Sequence, residues 1–297
     1  MITVLINGGL GNQLFQVFAA LATAIRNGDT YYFLYTVKDA TGKRSTYWNT
    51  LFHNLKSMAV IANETNVQRF MQLPAYHEPR FSYNALPKTT AANPIPLKLV
   101  GYFQSYKYFI DVQDEIYKKM QLLEQQKQIQ TMFAESVWFS CGVATIAMHF
   151  RMGDYKHIQE AHPILSLDYY KQALNHIISN ASLSGFSEPF KFNVLIFNQA
   201  CDNAIILDYM RELKSDPILR RICRFYKVQD MFDDWKQMLL MSVCNHNIIA
   251  NSTFSWWGAY LNQNTSKIVC YPNTWFGPAL KNHDTRDLFP TNWVKMS

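Results

Sequence analysis

The sequence predicts an α/β protein built on parallel sheets, with its second half doubly wound. Three observations lead there. Short apolar runs alternate with stretches of helical periodicity, most regularly after residue 142. The first strand-like run enters a glycine-rich turn and then a helix. Two apolar runs in the second half open directly into polar residues, the place beyond a strand's carboxyl end where open α/β sheets hold ligands.

Taken in order, Ile2-Thr-Val-Leu-Ile6 reads as a strand feeding Asn7-Gly-Gly-Leu-Gly-Asn-Gln13. Leu14, Phe18, Leu21 and Ile25 then recur at helical spacing, which predicts a helix over 14–26. A strand, a glycine turn and a helix together present backbone N–H groups to an anion. Gly9 and Gly11 match the first two glycines of a dinucleotide fingerprint. Leu14, however, occupies the position where close helix–strand packing wants Gly or Ala, and this makes a dinucleotide oxidoreductase the minor reading. A strand follows at 31–35. Residues 74–96 hold five of the eleven prolines and read as an irregular surface loop of the kind that lines a cleft. Residues 98–103 read as a strand. Residues 111–135 read as one long helix whose glutamine-rich middle, 125–130, is a solvated face. A boundary near 136–142 follows, giving domains 1–138 and 139–297.

Beyond the boundary, 143–148 is an apolar strand opening into His149-Phe-Arg-Met-Gly-Asp-Tyr155. Residues 168–178 read as a helix capped by Ser166. The strand 192–197 ends in Asn198-Gln-Ala-Cys201, and helices are expected at 202–214 and 230–244. The short strand 247–250 leads into Asn251-Ser-Thr-Phe-Ser-Trp-Trp-Gly258. A last strand at 267–271 and an aromatic tail close the chain.

Composition narrows the function. With 48% hydrophobic and 17% charged residues among 297, the chain is globular, without the signature of disorder. A net charge of +6 suits an anionic ligand or membrane surface. With no basic run of five residues, it does not indicate nucleic acid. Five scattered cysteines, with no C-x-x-C, read as free buried thiols in a reducing compartment. The first strand leaves no room for a signal peptide, and no run of eighteen apolar residues exists, so a soluble cytoplasmic protein is expected.

Arg151 beyond a strand end offers a permanently charged fork suited to phosphate; the plainer reading is a local pair with Asp154. Ser252, Thr253 and Ser255 fall at a helix N-terminus after a strand, where one hydroxyl suffices for a cap and three suggest bound phosphate. No D-x-D pair is present, and His149, His157, His162 and His246 show no metal-ligand spacing. A diphosphate site without a metal is expected.

Three segments, Gly8-Gly-Leu-Gly-Asn-Gln-Leu-Phe-Gln16, His149–Tyr155 and Asn251–Gly258, occur in the order found in the α-1,2-fucosyltransferase family, which this chain resembles. Gly101-Tyr-Phe-Gln-Ser105 and the tail from Pro272 to Trp293 extend the likeness over nearly the whole chain. The resemblance implies two facing Rossmann-like domains (the GT-B arrangement), GDP-β-L-fucose as donor, a galactose-type glycan acceptor, inversion at the anomeric carbon, and no cofactor or metal. It assigns the acceptor side to 1–138 and the donor to 139–297, with a tail returning toward the N-terminal domain. Peripheral contact with a membrane-linked acceptor is also implied.

By position, Arg151 matches the family's essential arginine, and His149 and Asp154 shape its loop; Asp154 is also the first candidate for general base. Ser252, Thr253 and Ser255 match hydroxyls near the diphosphate, Phe254 borders the nucleoside, and Gly11 and Asn12 belong to the glycine loop facing the donor. Two departures stand out. Met152 replaces a second arginine, with an expected change in acceptor or pyrophosphate contacts. Asn198-Gln-Ala replaces Ser-Asp-Asp, leaving an amide oxygen of Asn198 or Gln199 to accept from guanine. Another GDP-hexose, such as a rhamnose or mannose donor, and a non-catalytic glycan-binding relative are the alternatives.

Overall fold

The computed structural model describes residues 1–88, 96–139, 142–181 and 191–297. The chain divides into two units, Met1–Glu124 with Asn282–Pro290, and Gln125–Lys281 with Thr291–Ser297.

Unit 1 contains strands β1 (Ile2–Val4), β2 (Phe33–Tyr35), β3 (Ala59–Ile61), β4 (Ala75–His77) and β5 (Leu97–Val100). A three-stranded parallel sheet has the order β1-β5-β4, and β2 pairs with β3 in a separate parallel ribbon. Its helices are α1 (Leu10–Asn27), α2 (Glu64–Gln72) and α3 (Gln113–Met120). Helix α1 begins four residues before the sequence expectation, so Gly11 and Asn12 lie within its first turn. It ends at Gly28, whose φ of 60° closes the helix in the left-handed form that glycine adopts without strain. Leu14, Phe15, Phe18 and Leu21 are fully buried, which makes α1 the core helix of this unit.

The helix expected over 111–135 is two helices. Gln121 takes φ 51°, breaking the run between α3 and α4 (Leu122–Phe133). The glutamine-rich stretch is not wholly solvated either. Gln126 is buried, and its Nε2 donates to Ser242 Oγ at 2.8 Å and to the Leu261 carbonyl at 2.9 Å. Strand β4 lies inside the stretch expected to be irregular; the rest of that expectation includes residues 89–95, outside the described residues. The strand read at 98–103 stops at Val100; beyond it the Tyr102 and Phe103 N–H groups donate to Glu78 Oε2, and Phe103 takes φ 53°.

Unit 2 holds β6 (Ala144–His149), β7 (Phe192–Phe197), β8 (Cys223–Lys227), β9 (His246–Ile248), β10 (Val269–Pro272) and β11 (Val294–Met296). All pair in parallel in the order β11-β10-β9-β6-β7-β8. Helices α5 (Leu167–Asn180), α6 (Asn203–Ser215), α7 (Pro217–Ile222), α8 (Asp234–Ser242) and α9 (Thr253–Tyr260) intervene. Strands β6 and β7 are buried at every position, as continuous apolar runs in a sheet covered on both faces must be. Ile146, Met148, Val194 and Ile196 join one core with Tyr170, Leu174 and Ile177 of α5 and Ile206 and Leu213 of α6. On the alternate face, Asn193 Nδ2 donates to the Val137 and Trp138 carbonyls at 3.1 and 2.9 Å. Ser166 stands at the N-cap of α5 as expected, but its side chain makes no capping bond. Cys223, Cys244 and Cys270 are buried free thiols, whereas Cys201 is exposed, contrary to expectation; Cys141 lies outside the described residues.

Candidate active site in unit 2

The order of the six-stranded sheet places a topological switch between β6 and β9. From β6 the chain builds outward through β7 and β8, then returns to β9 and builds the other way through β10 and β11. The crevice beyond the carboxyl ends at such a reversal is where parallel sheets bind ligands. Met148 of β6 lies opposite Ile248 of β9, so the 149–155 and 251–258 motifs leave the sheet side by side. The His149 and Phe254 rings, one from each motif, lie 5.4 Å apart. The Tyr155 hydroxyl donates to the Asn251 carbonyl at 3.0 Å.

On the β6 side, Arg151 Nη2 donates to Asp154 Oδ1 at 2.7 Å, and the guanidinium lies 5.1 Å from the Tyr155 ring centroid. The local pair is therefore present, with Asp154 the more exposed partner. It leaves Arg151 Nε buried without a partner. His149 is buried at the end of β6, and burial, reinforced by the neighbouring Arg151 charge, lowers its pKa to about 3. It is a neutral imidazole and a weak proton acceptor, with Nδ1 unpartnered. Met152, which stands in place of a second arginine, packs into the apolar core of the unit and puts no charge in the crevice.

On the β9 side, Ser252 is the N-cap residue of α9, yet its hydroxyl makes no cap bond. Thr253 and Phe254 form the first turn and are half-buried. Ser255 is buried, with its hydroxyl directed back to the carbonyls of Ser252 (3.3 Å) and Ala250 (3.5 Å). The two tryptophans belong to the core: Trp256 stacks on Tyr260 at 4.7 Å and meets Trp293 at 5.5 Å. Gly258 lets α9 approach α8, because a Cβ there would lie 2.8 Å from Met241 Cβ. Asn251 is structural as well, its Nδ2 donating to the Pro163 and Trp275 carbonyls.

The end of β7 supplies a further wall. Asn198 Nδ2 donates to the Gln199 carbonyl and to Asn203 Oδ1, both at 2.8 Å, while Asn198 Oδ1 and Gln199 Oε1 are buried without partners. Asn203 in turn donates to Asp230, which also accepts from Lys227. Sequence reasoning missed Asp202. Its fully buried carboxylate accepts the Gly153 backbone N–H at 2.8 Å and Lys156 Nζ at 2.6 Å, fastening the Arg151 loop to the β7 end. Its available signal was an acidic residue four positions beyond Asn198, where the expected acidic motif is absent. At Gly153 a Cβ would lie 1.8 Å from Gln199 Oε1, which would have to turn away, and φ 25° disfavours any L side chain there.

Four buried polar atoms, His149 Nδ1, Arg151 Nε, Asn198 Oδ1 and Gln199 Oε1, thus lack partners around one strand-end crevice. Buried polar groups are nearly always satisfied, and such a cluster beside a helix N-terminus points to a polar ligand that completes it. Among the described residues, no group of three or more His, Cys, Asp or Glu could hold a metal ion.

Gly11 and Asn12 belong to unit 1. Asn12 Oδ1 accepts from Gln104 Nε2 at 3.1 Å, and its side chain folds over Gly8, where a Cβ would lie 2.6 Å from Asn12 Nδ2. Asp39 accepts from the backbone N–H groups of Gly8, Lys43 and Arg44 and from the Thr41 hydroxyl. Burial alone would raise its pKa, but these donors hold it below the ordinary carboxylate value. Gln16 bridges the same loop to the next motif, accepting from Asn7 N–H and donating to the Gly101 carbonyl.

The fold and this crevice define a Rossmann-like α/β protein with a polar crevice at the switch point of its six-stranded sheet. Residues 225–297, which contain the 251–258 motif, match the model of glycosyl transferase family 11, as the motif resemblance implies. The chain is 32% identical over 158 residues to the O-antigen biosynthesis glycosyltransferase WbnK of Escherichia coli, an alignment spanning 51% of this chain and 44% of that one. The chain thus matches less than half the length of that relative. It is 25% identical over 305 residues to an E. coli α-1,2-colitosyltransferase, covering 97% of this chain and 96% of the relative. Among solved structures, E. coli ADP-heptose lipopolysaccharide heptosyltransferase II shares the fold at a TM-score of 0.50 and 11% identity, over 100% of this chain and 90% of that one. The fold class is that expected, α/β of GT-B type with parallel Rossmann-like sheets. No helix among the described residues is long and apolar enough to cross a membrane.

Proposed function

We propose that this chain is a glycosyltransferase that moves L-fucose from GDP-β-L-fucose to the 2-hydroxyl of a galactose-type acceptor, with inversion and without a metal ion. The observation that carries this reading is the convergence of Arg151, the Ser252 hydroxyl, which caps no N–H of α9, and the α9 N-terminus at one switch point, among buried polar atoms that lack partners. In this reading Arg151 binds the leaving diphosphate, and the N–H groups at the start of α9 take the remaining oxygens. As the glycosidic bond breaks, charge builds on GDP, and these pre-set donors stabilise it; one such donor contributes roughly 3 kcal/mol. Asp154 orients Arg151 and is the first candidate for the base that removes the acceptor proton. His149 is a neutral polar wall. Phe254 borders the nucleoside, and Asn198 accepts from the base. Gly11 and Asn12 are assigned to donor binding on the motif resemblance alone.

A second reading keeps the fold and clamp with another GDP-hexose as donor. It is favoured by the full-length similarity to a colitosyltransferase and by Asn198-Gln-Ala in place of an acidic motif. Calorimetry in EDTA with GDP-fucose, GDP-mannose, GDP-rhamnose and UDP-galactose separates the two. Binding of GDP-fucose alone, lost in Arg151→Ala, supports the first reading. A preference for another GDP-sugar supports the second, and binding of none overturns both.

A further inference from the structure

We infer that the outer edge of unit 1, formed by β3 and α2, docks on an anionic lipid bilayer. Val37, Met58, Val60, Ile61, Val67 and Met71 are all exposed within this short stretch, with Val37 at 74%, Ile61 at 71% and Met71 at 60%. Their placement is structured. Strand β3 pairs with β2, where Tyr35 lies opposite Ile61, and Val37 follows two residues beyond Tyr35. Val67 and Met71 stand one turn apart on α2, while Phe70 of that helix faces the core. Asn66 Nδ2 donates to the Ile61 carbonyl at 2.8 Å, holding the start of α2 against the end of β3. Large apolar side chains grouped on an exposed edge mark an interaction surface.

The charge around them selects the occupant. Lys38, Lys43, Arg44, Lys56 and Arg69 are exposed in the same stretch, against Glu64 as the one exposed acid among residues 31–73. The other acid there, Asp39, is buried and satisfied by its own loop. Cations flanking protruding apolar side chains suit a surface with anionic headgroups over an apolar interior. A second copy of this chain fits less well, because a two-fold contact would set the same cations against each other. The donor site proposed in unit 2 plays no part in this inference.

The test is sedimentation of the full chain with vesicles of phosphatidylcholine alone or with about one third phosphatidylglycerol. Binding to the anionic vesicles should exceed binding to the neutral ones and fall steeply at about 0.5 M salt. The triple variant Val37→Ser, Ile61→Ser, Met71→Ser should reduce it about tenfold with an unchanged melting temperature, since all three side chains are exposed. Lys43→Gln with Arg44→Gln should reduce it as well. Equal binding to both vesicles, no binding, or binding insensitive to these variants would overturn the inference. So would a concentration-dependent dimer, seen by ultracentrifugation, that Ile61→Ser abolishes.

Discussion

Asp202 Oδ2 accepts the backbone N–H of Gly153 at 2.8 Å, joining the end of β7 to the loop that carries Arg151. The same carboxylate takes Lys156 Nζ on its other oxygen. The carboxylate is fully buried, and an amide in its place would set an NH2 group against one of its two donors, the Gly153 N–H or Lys156 Nζ. Asp202→Asn should cost about 2–3 kcal/mol in chemical denaturation. Transfer activity should fall further than the lost stability explains, because Arg151 would no longer be held in place. An Asp202→Asn enzyme with normal turnover would show that the loop does not need this anchor.

Gly153 should resist substitution for two reasons, of which a second change can relieve one. An alanine Cβ would overlap the Gln199 amide, at 1.8 Å from Oε1. Gly153→Ala should lower stability by about 1–3 kcal/mol, and adding Gln199→Ala should recover only the part owed to overlap, because φ 25° strains any L residue there. Additive losses in thermal melts of the two single variants and the double variant would contradict the packing account.

The two serines of the α9 start should separate cleanly. Ser252→Ala should weaken donor binding about tenfold with little effect on folding, since its hydroxyl makes no cap bond. Ser255→Ala should leave donor affinity unchanged, since its hydroxyl turns back to the helix. Calorimetry with GDP reads both, and the reverse pattern would reassign the ligand-facing hydroxyl.

Acid should destabilise unit 2 through two histidines. Burial lowers the His149 pKa to about 3 and the His246 pKa to about 4, and His246 Nδ1 accepts the Ile268 N–H at 3.1 Å. Unfolded histidine titrates near 6.5, so below that pH the unfolded chain binds more protons than the folded one. Stability present above about pH 6.5 is therefore lost as the pH falls toward 4, on the order of 2 kcal/mol per histidine by pH 5. Urea midpoints across pH 5–7 measure this, and His246→Gln should flatten part of the slope. A profile indifferent to pH in that window would mean that these rings titrate in the fold as they do in the unfolded chain.

Where the sequence was readable, the reason was pattern. Runs such as 143–148 and 192–197 are apolar at nearly every position because both faces of β6 and β7 are covered, and the strands were found on that ground. The short strands β3, β4 and β11 are three residues long and half-exposed, which leaves no run to recognise. The break at Gln121 escaped notice because glutamine carries no turn signal and helical spacing continues on both sides.

The candidate site divides along the same line. Arg151, Asp154 and Ser252 were legible because strand-end chemistry is local in sequence. Local sequence could not distinguish Ser252 from Ser255, nor assign Trp256 and Trp257 to the core, because that depends on which face of α9 meets α8 and Trp293.

The sequence by itself determined the parallel α/β class, the residues that leave the strand ends, and the family to which its motifs point. Only the tertiary structure decided that β6 and β9 are neighbours, that Asp202 anchors the Arg151 loop, and that Met152 is core. Those facts rest on strand order and on contacts between residues far apart in the chain, which no local pattern of side chains encodes.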